Sequence, residues 1–98
     1  MENSDNSFSV LKKSLGLTIK ALRSDKQMSQ EDLAHRAGLH RTYVADVENG
    51  RRNISLESIA KLAVALGTTI ECLFSYTPKA VTKPQYKAFR YSVEQAGD

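Results

Sequence analysis

A chain of 98 residues, 41% hydrophobic and 26% charged, suits one modest globular domain and excludes a disordered chain. Its formal net charge of +3 and pI near 9.1 suit a polyanionic partner without requiring one. The single cysteine, Cys72, excludes an internal disulfide and a thiolate metal site, and His35 and His40 lack a nearby ligand set.

Residues 1–8, MENSDNSF, read as a flexible leader. They are polar and acidic, unlike the basic start of a signal peptide. No apolar run approaches the ~18 residues that span a bilayer, so neither a membrane partner nor a membrane location is expected. With one unpaired cysteine, a reducing cytoplasmic setting is the simplest expectation.

Val10, Leu11, Leu15, Ile19 and Leu22 recur at helical spacing with Lys12, Lys13, Lys20 and Arg23 between them. This predicts an amphipathic helix over about Ser9 to Asp25. Gly16 inside it costs ~1 kcal/mol relative to alanine, so packing must carry that turn.

Ser29 is a strong helix cap, and Asp32 three positions on completes a variant of the capping box. Leu33, Ala34 and Ala37 form the inward face of this second helix, and Gly38 stops it. After Leu39 a third helix starts at His40, an unusual cap. Val44 and Val47 face inward, and Asn49-Gly50 closes the helix. The loop Arg51-Arg52-Asn53-Ile54 leads to the cap Ser55. Leu56, Ile59, Ala60, Leu62, Ala63 and Leu66 form a fourth helix that Gly67 ends. Thr69 starts a short fifth helix through Ile70, Leu73 and Phe74, in which Cys72 reads as a small core residue. Beyond it, Pro78 and Pro84 bracket a linker. Tyr86, Phe89, Val93 and Ala96 fit a helix, Phe89, Tyr91 and Val93 a strand; Pro84 and Gly97 as start and stop favour the helix.

Two short helices joined by a tight glycine-containing turn form a helix-turn-helix. The pair needs small residues where the helices cross, which Ala34 and Ala37 supply. The second helix also needs a polar outward face, which Arg41, Thr42, Ala45 and Asp46 supply.

The runs Ser29-Gln30-Glu31-Asp32-Leu33-Ala34, Ala37-Gly38-Leu39 and Val47-Glu48-Asn49-Gly50-Arg51-Arg52 resemble the Xre-like family of phage-repressor helix-turn-helix proteins. The segment from Leu39 to Asn53 is most similar to the controller proteins of restriction–modification systems. The resemblance covers about residues 10–75. It implies an all-α, compact five-helix fold with a C-terminal extension, divided as leader 1–8, DNA-binding domain 9–76, and linker with short helix 77–98.

The resemblance also implies a homodimer on a palindromic operator in double-stranded DNA, regulating transcription with RNA polymerase as a candidate protein partner. Base reading falls to Arg41, Thr42, Tyr43 and Asp46, the last either accepting from cytosine or orienting Arg41. Phosphate contact falls to Ser29, Gln30, His40, Asn49, Arg51, Arg52 and Asn53. Ile70, Leu73 and Phe74 form the dimer seam, and Arg23 pairs with Glu48 to tie the first helix to the third. No cofactor and no metal are implied.

Within the same class stand an antitoxin, an autorepressor and a prophage repressor. A protein-binding adaptor that makes no use of DNA is a different class, against which Arg41, Thr42, Arg51 and Arg52 argue. An enzyme carrying such a domain is a further alternative. The tail has no His, no Cys and no glycine-rich phosphate loop, and one acid, Glu94, before its terminus, so no catalytic set is expected.

Overall fold

The computed structural model describes the backbone of residues 2–75 and the side chains of residues 8–75. Five helices follow one another: α1 (Glu2–Asp25), α2 (Gln30–Ala37), α3 (Arg41–Glu48), α4 (Leu56–Ala65) and α5 (Ile70–Ser75). The all-helical expectation holds for these residues. The expected helix over Tyr86 to Ala96, and the tail 77–98 as a whole, lie outside them.

α1 starts at Glu2, not near Ser9, so the expected leader is helical over 2–8. No proline or glycine interrupts that stretch. A helix already nucleated gains one hydrogen bond for each residue it adds, so it can extend beyond the apolar period that marks it in the sequence.

α2 packs on α3 and α4, α1 packs on α3 and α5, and α4 packs on α5. Ile19, Leu33, Val44, Leu62, Leu66 and Leu73 are buried at the centre, with Leu15, Ala34, Ala37 and Val47 around them. Each fully buried Leu, Ile or Val contributes ~1.5–3 kcal/mol from apolar area removed from water.

Two residues expected inside are outside. Leu56 is 71% exposed, because it opens α4 beside the cap while Ile59, Leu62 and Ala63 supply the core face. Cys72 is exposed too: Leu73 turns into the core, and neighbours on a helix point about 100° apart.

Helix ends explain where the chain turns. Ser29 Oγ accepts the Asp32 N–H at 2.9 Å while Asp32 Oδ2 accepts the Ser29 N–H at 3.0 Å, so the capping box satisfies these two donors at the start of α2. At its other end Gly38 adopts φ +70°, its N–H reaches His35 O, and the Leu39 N–H reaches Ala34 O at 2.8 Å. This is a Schellman closure. α3 and α4 end in the same way. α1 also does, through Gln27 N–H to Ser24 O and Met28 N–H to Arg23 O, but with a glutamine at φ +59° in the left-handed position.

Gly16 marks a close approach between α1 and α3. A Cβ there would lie 2.4 Å from the Val47 carbonyl oxygen and 2.6 Å from that of Glu48. The absent side chain lets α1 lie directly on the end of α3, which is the packing the sequence required of that turn.

Candidate nucleic-acid interface

Three contacts fix α3 in the fold. Val44 and Val47 bury its inner face against α2 and the core. Gly16 seats α1 on its last turn. Glu48, itself buried, anchors that turn through polar contacts. Arg23 Nε donates to Glu48 Oε2 at 2.6 Å and Nη2 donates to Oε1 at 3.1 Å, while Nη1 donates to the Met28 carbonyl at 2.7 Å. The carboxylate holds the Arg23 guanidinium above its ordinary pKa, chiefly through these hydrogen bonds. The expected Arg23–Glu48 pair is present, and it fixes the third helix to the first.

Gln30 joins the same group: its Nε2 donates to Glu48 Oε1 at 3.0 Å. Sequence reasoning reserved this amide for a phosphate alone. The structure gives one of its two N–H groups to Glu48 and so orients the side chain. The Ser29 hydroxyl is engaged in the cap of α2, where hydrogen bonds from the Ser29 backbone and side chain hold the Asp32 carboxyl below its ordinary value.

Outward from this anchor, Arg41 and Thr42 are exposed in the first turn of α3, beside exposed His40. His40 sits at the N-cap position, as expected, but its side chain makes no cap hydrogen bond. Tyr43 is half-buried and packs against the core. Asn49 Nδ2 turns back to the Ala45 carbonyl at 3.0 Å, closing α3.

The loop after α3 folds onto the same face. The Arg51 N–H reaches the Asp46 carbonyl at 2.9 Å. Arg52 lies over the Tyr43 ring, 4.5 Å from its centroid, and its Nη2 is 3.5 Å from Asp46 Oδ2. The cation that Asp46 meets is therefore Arg52, and not Arg41, which was one of the two partners expected for it. Asn53 Oδ1 accepts from Lys12 Nζ at 3.3 Å, which brings a lysine of α1 into the group. Sequence reasoning missed Lys12. Its only signal was a basic side chain on the polar face of α1, one residue before Lys13, whose Cα lies 3.2 Å from where a Gly50 Cβ would stand.

The expected dimer seam divides. Leu73 is 1% exposed and belongs to the core of its own chain, so it has almost no surface left for a partner. Ile70 and Phe74 are half-buried against that core. Val64 on α4, not singled out from the sequence, is 78% exposed.

Among the described residues no cluster of His, Cys, Asp and Glu could hold a metal ion, and no helix is long and apolar enough to cross a membrane.

The helix-turn-helix family profile matches residues 19–71, from the middle of α1 into α5. The Control protein C.SmaI of Serratia marcescens is 36% identical over 87 residues, covering 89% of this chain and 95% of that protein. The crystal structure of the restriction–modification controller protein C.AhdI from Aeromonas hydrophila superposes with a TM-score of 0.61 at 45% identity, over 65% of this chain and 94% of the other. The restriction–modification controller protein C.Esp1396I, solved as a tetramer with its natural 35 base-pair operator, superposes with a TM-score of 0.62 at 32% identity, over 66% of this chain and 86% of the other.

Proposed function

The chain belongs to the helix-turn-helix family, and we propose that it is a sequence-specific DNA-binding regulator of transcription, the controller of a restriction–modification operon. One observation carries this reading. α3 is anchored by Val44, Val47 and Glu48 on one side and exposes Arg41 and Thr42 on the other, with the Arg51–Asn53 loop beside it. A short rigid helix with a polar outward face fits the major groove, and flanking cations fit the phosphates on its rim.

In this reading Arg41 and Thr42 meet base edges. Arginine can bond guanine O6 and N7 together, and the threonine methyl can meet a thymine methyl. Tyr43 and Asp46 stand next to them along the same helix. Gln30, oriented by Glu48, offers its second amide N–H to a phosphate, which the unbonded N–H groups opening α2 also attract. His40, Asn49, Arg51 and Asn53 border the same surface. The Ser29 hydroxyl holds the α2 cap, so its contribution to phosphate binding is to fix that helix end.

Two copies joined through Ile70, Phe74 and neighbouring apolar surface such as Val64 would set two recognition helices about 34 Å apart, one turn of B-DNA. The palindromic operator is the DNA counterpart of that two-fold axis.

Fluorescence anisotropy with the duplex upstream of the chain's own reading frame, across a salt series, tests the proposal. A dimer making ~6–10 phosphate contacts gives a log–log slope of about minus 5 to minus 9, with preference over a scrambled duplex. A flat salt response without sequence preference would contradict it.

A further inference from the structure

Asp46 is an acid on the outward face of a helix otherwise suited to a polyanion. A carboxylate there is repelled by phosphates, so by itself it weakens binding to any duplex. The structure shows what it does in the free protein. Its carboxylate stands 3.5 Å from the Arg52 guanidinium, which lies across the Tyr43 ring at 4.5 Å. Its main-chain carbonyl accepts the Arg51 N–H at 2.9 Å. Both halves of Asp46 therefore hold the loop, and Arg52 is stored between an anion and an aromatic face. The Arg52 and Asp46 side chains remain 44% and 30% exposed, so both stay accessible to an incoming ligand.

We propose that Asp46 is a specificity-determining residue that acts through Arg52. While the pair is closed, Arg52 contributes little net charge towards DNA. Opening it leaves two polar groups to satisfy. A phosphate can take the guanidinium, but the carboxylate then needs a donor of its own in the groove, such as the amino group of cytosine. Only a duplex offering both at once makes the exchange favourable. Any other duplex either meets the closed pair or leaves a carboxylate unpaired near phosphates. Discrimination then comes from penalising wrong sequences as well as rewarding the right one. Tyr43 keeps the guanidinium over its ring, within reach of either partner.

The inference rests on α3 being the DNA-facing helix, and the experiment separates the two. Asp46→Asn, Arg52→Gln and the double variant are compared with the unaltered protein by anisotropy on the upstream duplex and on a scrambled duplex. Asp46→Asn is expected to tighten binding to the scrambled duplex and to lower the specificity ratio roughly tenfold. It should also steepen the salt slope on that duplex by about 0.9 per subunit, as Arg52 becomes free to displace counterions. In the Arg52→Gln background the same change should leave the ratio within about twofold. Without DNA, the Arg52 side-chain proton resonances, displaced by the Tyr43 ring, should move towards their unstructured positions in Asp46→Asn. An equal effect of Asp46→Asn with and without Arg52, or an equal effect on both duplexes, overturns the inference while leaving the functional reading intact. If the unaltered protein binds neither duplex, both fall.

Discussion

Arg23 and Glu48, on α1 and α3, form a forked ion pair with N···O distances of 2.6 and 3.1 Å and side chains only 12% and 2% exposed. The pair joins the end of α3 to α1. Glu48 also takes the Gln30 amide, and Arg23 the Met28 carbonyl, so one buried carboxylate organises α1, α2 and α3. Removing one side of such a pair strands the other charge away from water. Glu48→Ala is expected to lower stability by ~3–5 kcal/mol in urea unfolding, and Arg23→Ala combined with it should cost less than the sum of the single changes. Additive losses would show that the two groups act independently.

Gly16→Ala tests the contact between α1 and α3. In an exposed helix interior this change stabilises by about 1 kcal/mol. Here the new methyl would meet the carbonyl oxygens of Val47 and Glu48 at 2.4 and 2.6 Å, so backbone must move. A loss of ~1–3 kcal/mol in urea unfolding is expected. A gain would mean that the helices are not in contact there.

Gln27→Gly should stabilise. Glutamine at φ +59° carries the left-handed penalty of ~1–2 kcal/mol, part of which glycine returns as lost unfolded-state constraint. The expected net gain is about 0.5–1 kcal/mol, visible as a raised Tm. An unchanged or lowered Tm would contradict a left-handed closure of α1.

The α2 cap gives a pH dependence. The Asp32 carboxyl is held below its ordinary value of 3.8, first by the Ser29 backbone hydrogen bond and then by the Ser29 side chain. A group whose folded pKa is depressed contributes stability above its unfolded pKa, and the contribution disappears as pH falls through the folded one. Asp32→Asn should therefore be less stable than the unaltered protein near neutrality, with the difference narrowing below about pH 4. A difference constant from pH 7 to pH 2 would assign the cap no charge effect. Ser29→Ala, which removes the hydroxyl half of the cap, should cost ~1 kcal/mol.

α2 and α4 were legible because each carries its own start and stop: Ser29 and Gly38, Ser55 and Gly67. Local chemistry fixed those boundaries to within a residue or two. The start of α1 was not, because residues 2–8 have no apolar period and a helix can extend without one. Arg23–Glu48 was legible only through family resemblance, since nothing in spacing links positions so far apart. The pairing of Asp46 with Arg52 escaped notice for a different reason. It depends on how the loop after Gly50 folds back, and a left-handed turn redirects the chain in a way that residue type alone does not reveal. Leu56, Cys72 and Leu73 show the same limit at finer scale: apolar identity placed Leu56 and Cys72 inside and Leu73 was expected at the dimer seam, while helix phase puts Leu73 in the core and the other two at the surface.

In the proposed function the outward face of α3 reads bases while the loop beyond it holds the DNA backbone. Anisotropy titrations of Arg41→Ala and Arg51→Ala against the upstream duplex and its single base-pair variants test it most directly. Arg41→Ala should abolish discrimination at one base position, by about 1–3 kcal/mol, and leave the others intact. Arg51→Ala should weaken binding to every duplex alike and flatten the salt slope by about one per subunit. The opposite pattern, or equal loss of discrimination at all positions from Arg41→Ala, would contradict the account.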